Sequence, residues 1–172
     1  MRTGDRFVDF DEIAQDILSS RRYISALVIS GGEPVMQPEV CQELLIWGHA
    51  LGLKVGIETS GCRPIPDGFD LVMMDLKTSL ERWLYNSYTG DNKAFDNVVQ
   101  NLNRLDPKTT EIRYVIHQGE YWDPDTFEII LDKGFPIRFL KGNGTTQENI
   151  NQILEVLKVS FGVRIVKEML QK

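Results

Sequence analysis

The sequence has few cysteines and no excess of basic residues. Only Cys41 and Cys62 occur among 172 residues, and their spacing is typical neither of a disulfide framework nor of a metal-binding motif. This favours a reducing compartment. The 25 acidic residues outnumber the 19 basic ones, and the formal net charge is -6. Because the basic residues form no stripe along the chain, we expect no nucleic-acid partner.

Long apolar runs are also missing. The first twelve residues contain no apolar core of signal-peptide length, and no window approaches the ~18 consecutive apolar residues that a membrane span requires. We therefore predict no membrane partner and a cytoplasmic location. The 42% of apolar and 26% of charged residues are typical of one globular domain. We expect a single domain over residues 1–172.

Helix-like and strand-like segments alternate from Asp9 onward, with short polar turns between them. This alternation predicts an α/β fold whose parallel strands are joined by right-handed crossovers. Periodicity does not decide between an open sheet and a partial barrel. The predicted strands are residues 26–30, 54–58, 71–75, 112–117, 137–140 and 163–166. The predicted helices are residues 10–20, 38 to about 52, 79–86, 94–105, 125–133 and 147–158.

Local signals refine this outline. Asp9 followed by Glu12 predicts a capping box at the start of the first helix, and Pro38 suits the first turn of the second helix. The apolar run at residues 26–30 is typical of a strand that is buried on both faces of a parallel sheet. The connection at residues 60–70 is tight for a helical crossover.

Polar groups follow four of the predicted strands. In βα arrays the carboxyl ends of parallel strands meet at one edge of the sheet, and ligands bind there. We therefore expect one shared rim. Its segments are Ser30-Gly31-Gly32-Glu33-Pro34, Glu58-Thr59-Ser60-Gly61, Asp75-Leu76-Lys77 and His117-Gln118-Gly119.

The first of these segments suits an ammonium ligand. Gly31 and Gly32 permit backbone conformations closed to other residues and let a ligand approach without a Cβ in the way. Free strand-end carbonyls and the Glu33 carboxylate are then acceptors for an ammonium group. Taken alone, a Gly-Gly turn is more often structural.

The remaining charged groups extend the same hypothesis. Glu58 and Asp75 are acceptors for a ribose, a cation or a second amine, and Lys77 and Arg113 are partners for a carboxylate. A lone acidic residue at a strand end is often a helix cap. A ligand site is therefore expected only from the combination of these groups.

Three strings occur together in order and spacing: ISGGEP at residues 29–34, ETSG beginning at Glu58 and MDLK at residues 74–77. Together they resemble the radical SAM superfamily, specifically the activating enzymes of glycyl-radical enzymes such as anaerobic ribonucleotide reductase and pyruvate formate-lyase. The resemblance extends from about residue 8 to residue 119. It implies a partial (βα)6-type barrel of parallel strands, with the first, cluster-bearing strand absent from this chain.

The resemblance also implies a cofactor and residue roles. S-adenosylmethionine is the implied ligand, with its amino group bound at Gly31, Gly32 and Glu33. Other matching positions lie beside the same ligand and, in some members, a monovalent cation: Glu58, Thr59, Asp75, Lys77 and Arg113.

One departure from the family limits this interpretation. The family binds a [4Fe-4S] cluster through three cysteines in a CxxxCxxC loop, and these ligands are absent here, so we expect the chain to be inactive alone. Cys41 is interpreted as a buried helix residue, and Cys62 is not assigned to a metal. His117 is interpreted as structural more often than ligand-binding, and His49 as a surface or packing residue. No metal ligand and no catalytic residue is assigned.

A missing upstream strand would leave residues 26–29 as a sheet edge, which invites pairing. We therefore expect that the chain is a fragment, starts late, or is completed by another polypeptide. The expected partners are a glycyl-radical enzyme or a chain that supplies the strand.

Three functions remain open. The complete activating enzyme would cleave S-adenosylmethionine reductively to a 5'-deoxyadenosyl radical and install a glycyl radical on its partner. A 7-carboxy-7-deazaguanine synthase, which acts on a pterin, has similar strand ends but lacks the MDLK form. A non-catalytic module would bind S-adenosylmethionine or a protein. The aromatic group of Trp83, Tyr85 and Tyr88 is interpreted as packing rather than as a partner surface.

Overall fold

The computed structural model describes residues 9–78, 80–116, 124–142 and 144–161. Helices and strands alternate through these ranges. The elements are α1 (Phe10–Ser20), β1 (Ala26–Ile29), α2 (Pro38–Ala50), β2 (Lys54–Thr59), β3 (Leu71–Leu76), α3 (Arg82–Thr89), α4 (Ala94–Arg104), β4 (Thr110–Ile116), α5 (Pro124–Asp132), β5 (Ile137–Lys141) and α6 (Gln147–Phe161), with a short 3-10 helix at Pro34–Met36.

The strands form one five-stranded sheet in the order β1-β2-β3-β4-β5, and every neighbouring pair is parallel. This confirms the predicted α/β class, and the chain-order arrangement is consistent with a partial barrel. Helix α3 begins at Arg82 rather than at residue 79 and ends at Thr89 rather than at residue 86. The predicted strand at residues 163–166 lies outside the described residues.

Side chains alternate between two different environments on the central strands. One face of the sheet is covered by helices, and its side chains form a single core with helical residues such as Leu44, Val98 and Phe127. The opposite face, here called the open face, is partly exposed. Side chains on the open face include Val28, Glu58, Asp75 and Arg113. This is the period-two pattern of a sheet with one buried face.

The structure corrects the expectation that the first strand is buried on both faces. In β1 only Ile29 is buried, and Val28 on the open face is 48% exposed. The reason is that the helices cover only one face of the described sheet. Strand β1 pairs with β2 alone among the described residues, which confirms its expected position at an edge.

The ends of the first two helices follow local rules. Asp9 is the N-cap of α1, and its carboxylate accepts from the backbone N–H of Asp11, a position of the first turn that otherwise has no partner. Pro38 occupies the first turn of α2, where a missing N–H costs nothing. No helix within the described ranges is long and apolar enough to span a bilayer.

The connection between β2 and β3 contains no helix, and side chains of α4 bind to its polar backbone. Asn101 is only 1% exposed. Its Nδ2 donates to the carbonyls of Gly61 and Arg63, each at 2.9 Å, and its Oδ1 accepts from the N–H of Ile65 at 3.2 Å. Buried backbone groups require such partners. Asn101 therefore fixes the loop that begins where β2 ends.

We expect Asn101→Leu to lower the free energy of unfolding by about 2–4 kcal/mol, because the buried N–H and carbonyls lose their partners. Urea denaturation measures the change. Asn103→Ala, at an exposed position of the same helix, is the matched control and is expected to stay within about 0.5 kcal/mol of the parent chain. Equal midpoints for the two variants would contradict this role of Asn101.

Candidate functional site

The backbone after β1 is open to a ligand. Gly31 has a φ of 130°, a conformation that residues with a Cβ rarely adopt. A Cβ built at Gly31 or Gly32 would meet no atom within 4 Å, and both residues are exposed. Among the described residues, no group donates a hydrogen bond to the carbonyls of Gly31 and Gly32. A ligand can therefore reach these carbonyls.

Glu33 follows this turn and is held at the end of β2. Its carboxylate accepts from the Thr59 hydroxyl at 2.5 Å, from the Ser60 backbone N–H at 2.9 Å and from the Ser60 hydroxyl. We call these three residues the glutamate cluster. A carboxylate has about four acceptor positions, so three donors leave about one on Oε1 for a ligand.

A second group of side chains lies on the open face and centres on Arg113. The guanidinium Nη1 donates to Glu58 Oε1 at 2.8 Å, and Nε donates to Asp75 Oδ1 at 2.6 Å. Lys77 donates to the second oxygen of Asp75 at 2.7 Å, and Ser30 donates to the second oxygen of Glu58 at 2.8 Å. We call these five residues the arginine network.

Strand register explains this network. Asp75 on β3 lies directly opposite Arg113 on β4. Glu58 lies opposite Met73, two residues before Asp75, and therefore points to the same face. Arg113 is long enough to bridge both carboxylates. The site thus joins the ends of β1, β2 and β3 to β4.

The network controls its own ionisation. The hydrogen bond from Arg113, followed by that from Ser30, lowers the pKa of Glu58. Burial alone would lower the pKa of Arg113, but its hydrogen bonds to Glu58 and Asp75 outweigh that effect and raise it. Both members of this ion pair therefore remain charged near neutral pH. The two carboxylates balance the two cations, which leaves the network formally neutral.

All eight residues predicted for the site lie at this rim. The structure distributes them between the open turn at Gly31 and Gly32, the glutamate cluster and the arginine network. Glu58 and Thr59 are neighbours in the chain but point to opposite faces, so they belong to different groups. Lys77 and Arg113 were expected to meet a ligand carboxylate, and both already bind carboxylates of the chain. Which of the eight contact a ligand stays a prediction.

Sequence reasoning missed Ser30 and Ser60, although both stand inside the quoted motif strings. It also read Tyr85 as packing only. Tyr85 is buried, as expected, but its hydroxyl points to the rim, 3.4 Å from the carbonyl of Ser60. Trp83 is 69% exposed, so the packing interpretation is wrong for that residue. The side chain of Tyr88 and all of His117 lie outside the described residues.

The cysteines do not form a cluster site. Cys41 is buried in α2, where Sγ lies 3.2 Å from the carbonyl of Pro34, and burial raises its pKa. Burial also raises the pKa of Cys62. Two protonated thiols do not supply the three thiolates that hold a [4Fe-4S] cluster. In the described part of the chain, His, Cys, Asp and Glu side chains form no group of three that could hold a metal ion.

His49 lies at the other end of the sheet. Its Nε2 is 2.9 Å from Asp70, which also accepts from Lys54 and from the Val55 backbone N–H. The hydrogen bond from Lys54, followed by that from Val55, holds the pKa of Asp70 well below its usual range. This confirms the interpretation of His49 as a surface or packing residue.

Comparison with known proteins connects this geometry to other chains. No family model matches. The chain is 33% identical over 84 residues to a 7-carboxy-7-deazaguanine synthase of Bradyrhizobium diazoefficiens, covering 45% of this chain and 38% of that protein. Archaeal TYW1 superposes with a TM-score of 0.61 at 15% identity, over 93% of this chain and 66% of that one. A radical SAM methyltransferase from Sphaerobacter thermophilus gives 0.54 at 16% identity, over 91% and 57%.

This chain has a radical SAM-type fold. The comparisons do not support the glycyl-radical activating subtype. The chain spans less than two thirds of the length of each of these relatives.

We expect Arg113→Met to lower the free energy of unfolding at pH 7 by about 1–3 kcal/mol, between the values typical of exposed and buried ion pairs. The pKa of Glu58 is lowered in the folded state. Its ion pair therefore stabilises the protein above the unfolded pKa, and this stability is lost as the pH falls through the folded pKa. The difference between variant and parent should shrink on acidification.

Urea denaturation of both proteins at several pH values between neutral and acidic measures this difference. Arg113→Lys is the matched control, because it keeps the charge but cannot bridge two carboxylates in the same geometry. A difference that is independent of pH would show that Arg113 stabilises the protein through packing alone.

Proposed function

We propose that this chain forms the S-adenosylmethionine-binding part of a radical SAM enzyme. The observation that carries this proposal is the convergence of the open Gly31-Gly32 backbone and the held Glu33 carboxylate at one rim. In βα arrays this rim is the place where ligands bind. A radical SAM-type fold implies S-adenosylmethionine and a [4Fe-4S] cluster as cofactors.

The residues present fit the amino group of S-adenosylmethionine. An ammonium has three donors, and the turn offers the two glycine carbonyls and the remaining acceptor position of Glu33. Thr59 and Ser60 orient the carboxylate before a ligand arrives, because they donate to both of its oxygens. When bound, S-adenosylmethionine supplies a sulfonium centre whose carbon–sulfur bond is open to one-electron cleavage.

The residues present do not fit the cluster. Cys41 is buried among apolar groups and Cys62 is half-buried with a raised pKa, and the 172 residues contain no third cysteine. Thiolates for a cluster would come from outside this sequence. The chain's own part in the reaction is therefore to bind and orient the ligand.

The arginine network contributes carboxylate acceptors that are held in place. Arg113 keeps Glu58 ionised, and it holds Asp75 within 2.6 Å. Ser30, which precedes the Gly31-Gly32 turn, donates to Glu58, and Arg113 joins Glu58 to Asp75. Ribose hydroxyls are donors that suit such carboxylates. We assign Glu58 and Asp75 to the ribose side of the ligand.

For the reaction itself we propose a 7-carboxy-7-deazaguanine synthase type. The support is the 33% identity over 84 residues to a protein of that name. The activating-enzyme type is the second candidate, because Asp75 and Lys77 of the MDLK string are paired at 2.7 Å and the exposed Trp83 on α3 offers an aromatic contact for a protein partner. A non-catalytic binding module is the third outcome that experiments must separate.

Calorimetric titration with S-adenosylmethionine tests the binding function. We expect the chain to bind, and Glu33→Ala to weaken binding about tenfold or more, since it removes a charged acceptor. Glu33→Gln, which retains the shape and an acceptor oxygen but not the charge, should give an intermediate affinity. Glu43→Ala, at an exposed position on α2, is the control and should bind like the parent.

Thermal unfolding of each variant shows whether the fold survives. No binding by the parent chain, or equal binding by parent and Glu33→Ala, would exclude this assignment of the glutamate cluster.

Titration with 7-carboxy-7-deazaguanine in the presence of S-adenosylmethionine tests the reaction type. For a synthase we expect binding of this product, and weaker binding by Lys77→Met, because Lys77 is the more exposed cation of the network. Lys133→Met is the control, because Lys133 is exposed and binds Asn103, which lies outside the arginine network. Absence of product binding, together with co-elution of the chain with pyruvate formate-lyase or anaerobic ribonucleotide reductase, would favour the activating type.

A further inference from the structure

One face of helix α4 binds the loop that follows β2. Three polar side chains lie three or four residues apart on the helix and therefore share this face: Asn97, Asn101 and Arg104. Each donates to a backbone carbonyl of the loop. Of the three, Asn101 is the most buried, and it is the one that bonds to Gly61. Gly61 directly follows Ser60 of the glutamate cluster.

Gly61 connects Asn101 to the glutamate cluster. Its carbonyl accepts from Asn101 Nδ2 at 2.9 Å, and its backbone N–H donates to the Thr59 hydroxyl oxygen at 3.0 Å. The φ of Gly61 is +67°, and a Cβ at this position would lie 2.6 Å from Met74 Sδ, so the turn requires glycine. Because glycine has the greatest backbone freedom of any residue, this turn depends on bonds at both of its ends.

The bond to Gly61 determines where the Thr59 hydroxyl sends its proton. A hydroxyl donates one hydrogen bond and accepts through its lone pairs. The Gly61 N–H can only donate, so it takes a lone pair of the Thr59 oxygen. The single proton is then directed at Glu33, whose Oε1 lies 2.5 Å away. Thr59 is buried, so water does not compete for either bond.

Three consecutive hydrogen bonds therefore lead from α4 to Glu33, and we call them the asparagine path. The start of this path is itself fixed. Nδ2 of Asn101 also donates to the Arg63 carbonyl at 2.9 Å, and Oδ1 accepts from the Ile65 N–H at 3.2 Å. With two carbonyls and one N–H as partners, the amide group of Asn101 has a single orientation that satisfies them all.

We propose that Asn101 is a positioning residue of the ligand site, which orients the Glu33 carboxylate through Gly61 and Thr59. This inference rests on the proposed function, since the ligand that Glu33 binds there is S-adenosylmethionine. Asn101 does not touch the ligand. Its loss releases the Gly61 turn, so the Thr59 proton is no longer directed at Glu33. The ammonium of the ligand then meets a carboxylate that is held less firmly, and binding weakens.

Calorimetric titration of the full chain with S-adenosylmethionine compares Asn101→Leu with Arg104→Met. We expect Asn101→Leu to raise the dissociation constant about three- to tenfold, the value of one hydrogen bond. Arg104→Met removes a bond from the same helix to the same loop, but at Ile65, which lies further along the loop than Gly61. It should leave the dissociation constant within about twofold of the parent, even where it lowers the unfolding midpoint.

Asn101→Asp is the second variant, for the case that Asn101→Leu does not fold. It keeps an oxygen that can accept from Ile65, but it replaces the donating Nδ2 by a second oxygen. We therefore expect Asn101→Asp to weaken binding in the same direction as Asn101→Leu. If either folded variant binds S-adenosylmethionine as tightly as the parent, the proposal is wrong.

A double-mutant cycle separates positioning from a general loss of order. In the Glu33→Ala background no carboxylate is left to orient, so adding the Asn101 substitution should change the dissociation constant by less than about twofold. A purely structural role of Asn101 would instead weaken binding by the same factor in the parent and in Glu33→Ala. Equal factors in the two backgrounds would overturn the proposal.

Amide hydrogen exchange without ligand tests the asparagine path independently of binding. In Asn101→Leu we expect faster exchange, relative to the amides of β4, at Gly61 and at Ser60, whose N–H groups donate to Thr59 and Glu33. Both amides should be unchanged in Arg104→Met. Unchanged exchange at Gly61 and Ser60 in Asn101→Leu would show that Asn101 does not hold this path.

Failure of the parent chain to bind S-adenosylmethionine is a distinguishable outcome. It overturns the proposed function and, with it, the ligand part of this inference. The exchange result then still decides whether Asn101 orients the donors of the Glu33 carboxylate.

Discussion

The alternation of side chains across a sheet that is covered on one face determines the arrangement of the site. Glu58 and Thr59 are consecutive, yet one lies on the open face and the other is buried beside Glu33. A carboxylate on the covered face would lie in an apolar core, where an unpaired charge is costly. On the open face it can meet Arg113 across the sheet. The same alternation therefore produces both a dry core and a charged surface from the same strands.

The helices on the covered face also help to hold the site in place. Asn101 on α4 and Tyr85 on α3 both project polar atoms from the core to the loop that follows β2. Each bonds to backbone groups of a loop that forms no helix of its own. Because the loop carries Ser60, and Ser60 holds Glu33, the orientation of the candidate ligand-binding carboxylate depends on residues that are buried on the helical side.

Much of the fold followed from local patterns. The strands β2, β3 and β4 were predicted because their apolar runs end at polar motifs, and Asp9 and Pro38 marked two helix starts correctly. The four apolar residues of β1 were misread, because a continuous short run does not reveal which face is covered. Helix α3 was placed too early, since Glu81 at its N-cap makes no side-chain capping bond and gives little signal.

The location of the site was predictable from the sequence, but the hydrogen-bond and ion-pair partners of its residues were not. The three motif strings contain seven of the eight residues, all except Arg113, and place them at one rim, whereas strand register brings Arg113 to Asp75 and Glu58 of the chain itself. The hydroxyls of Ser30, Ser60 and Tyr85 carry no motif of their own, and only the distances in the folded chain reveal them.

The bonds of Asn101 also bear on the order of events in folding. The side chain joins Gly61, which lies 40 positions earlier in the chain, to a helix that follows β3 and α3 in the sequence. Until that helix docks, the buried N–H and carbonyls of the loop stay solvated, and closing so distant a contact is slow relative to helix formation. The loop at the rim therefore becomes dry only when the helix that carries Asn101 packs against it.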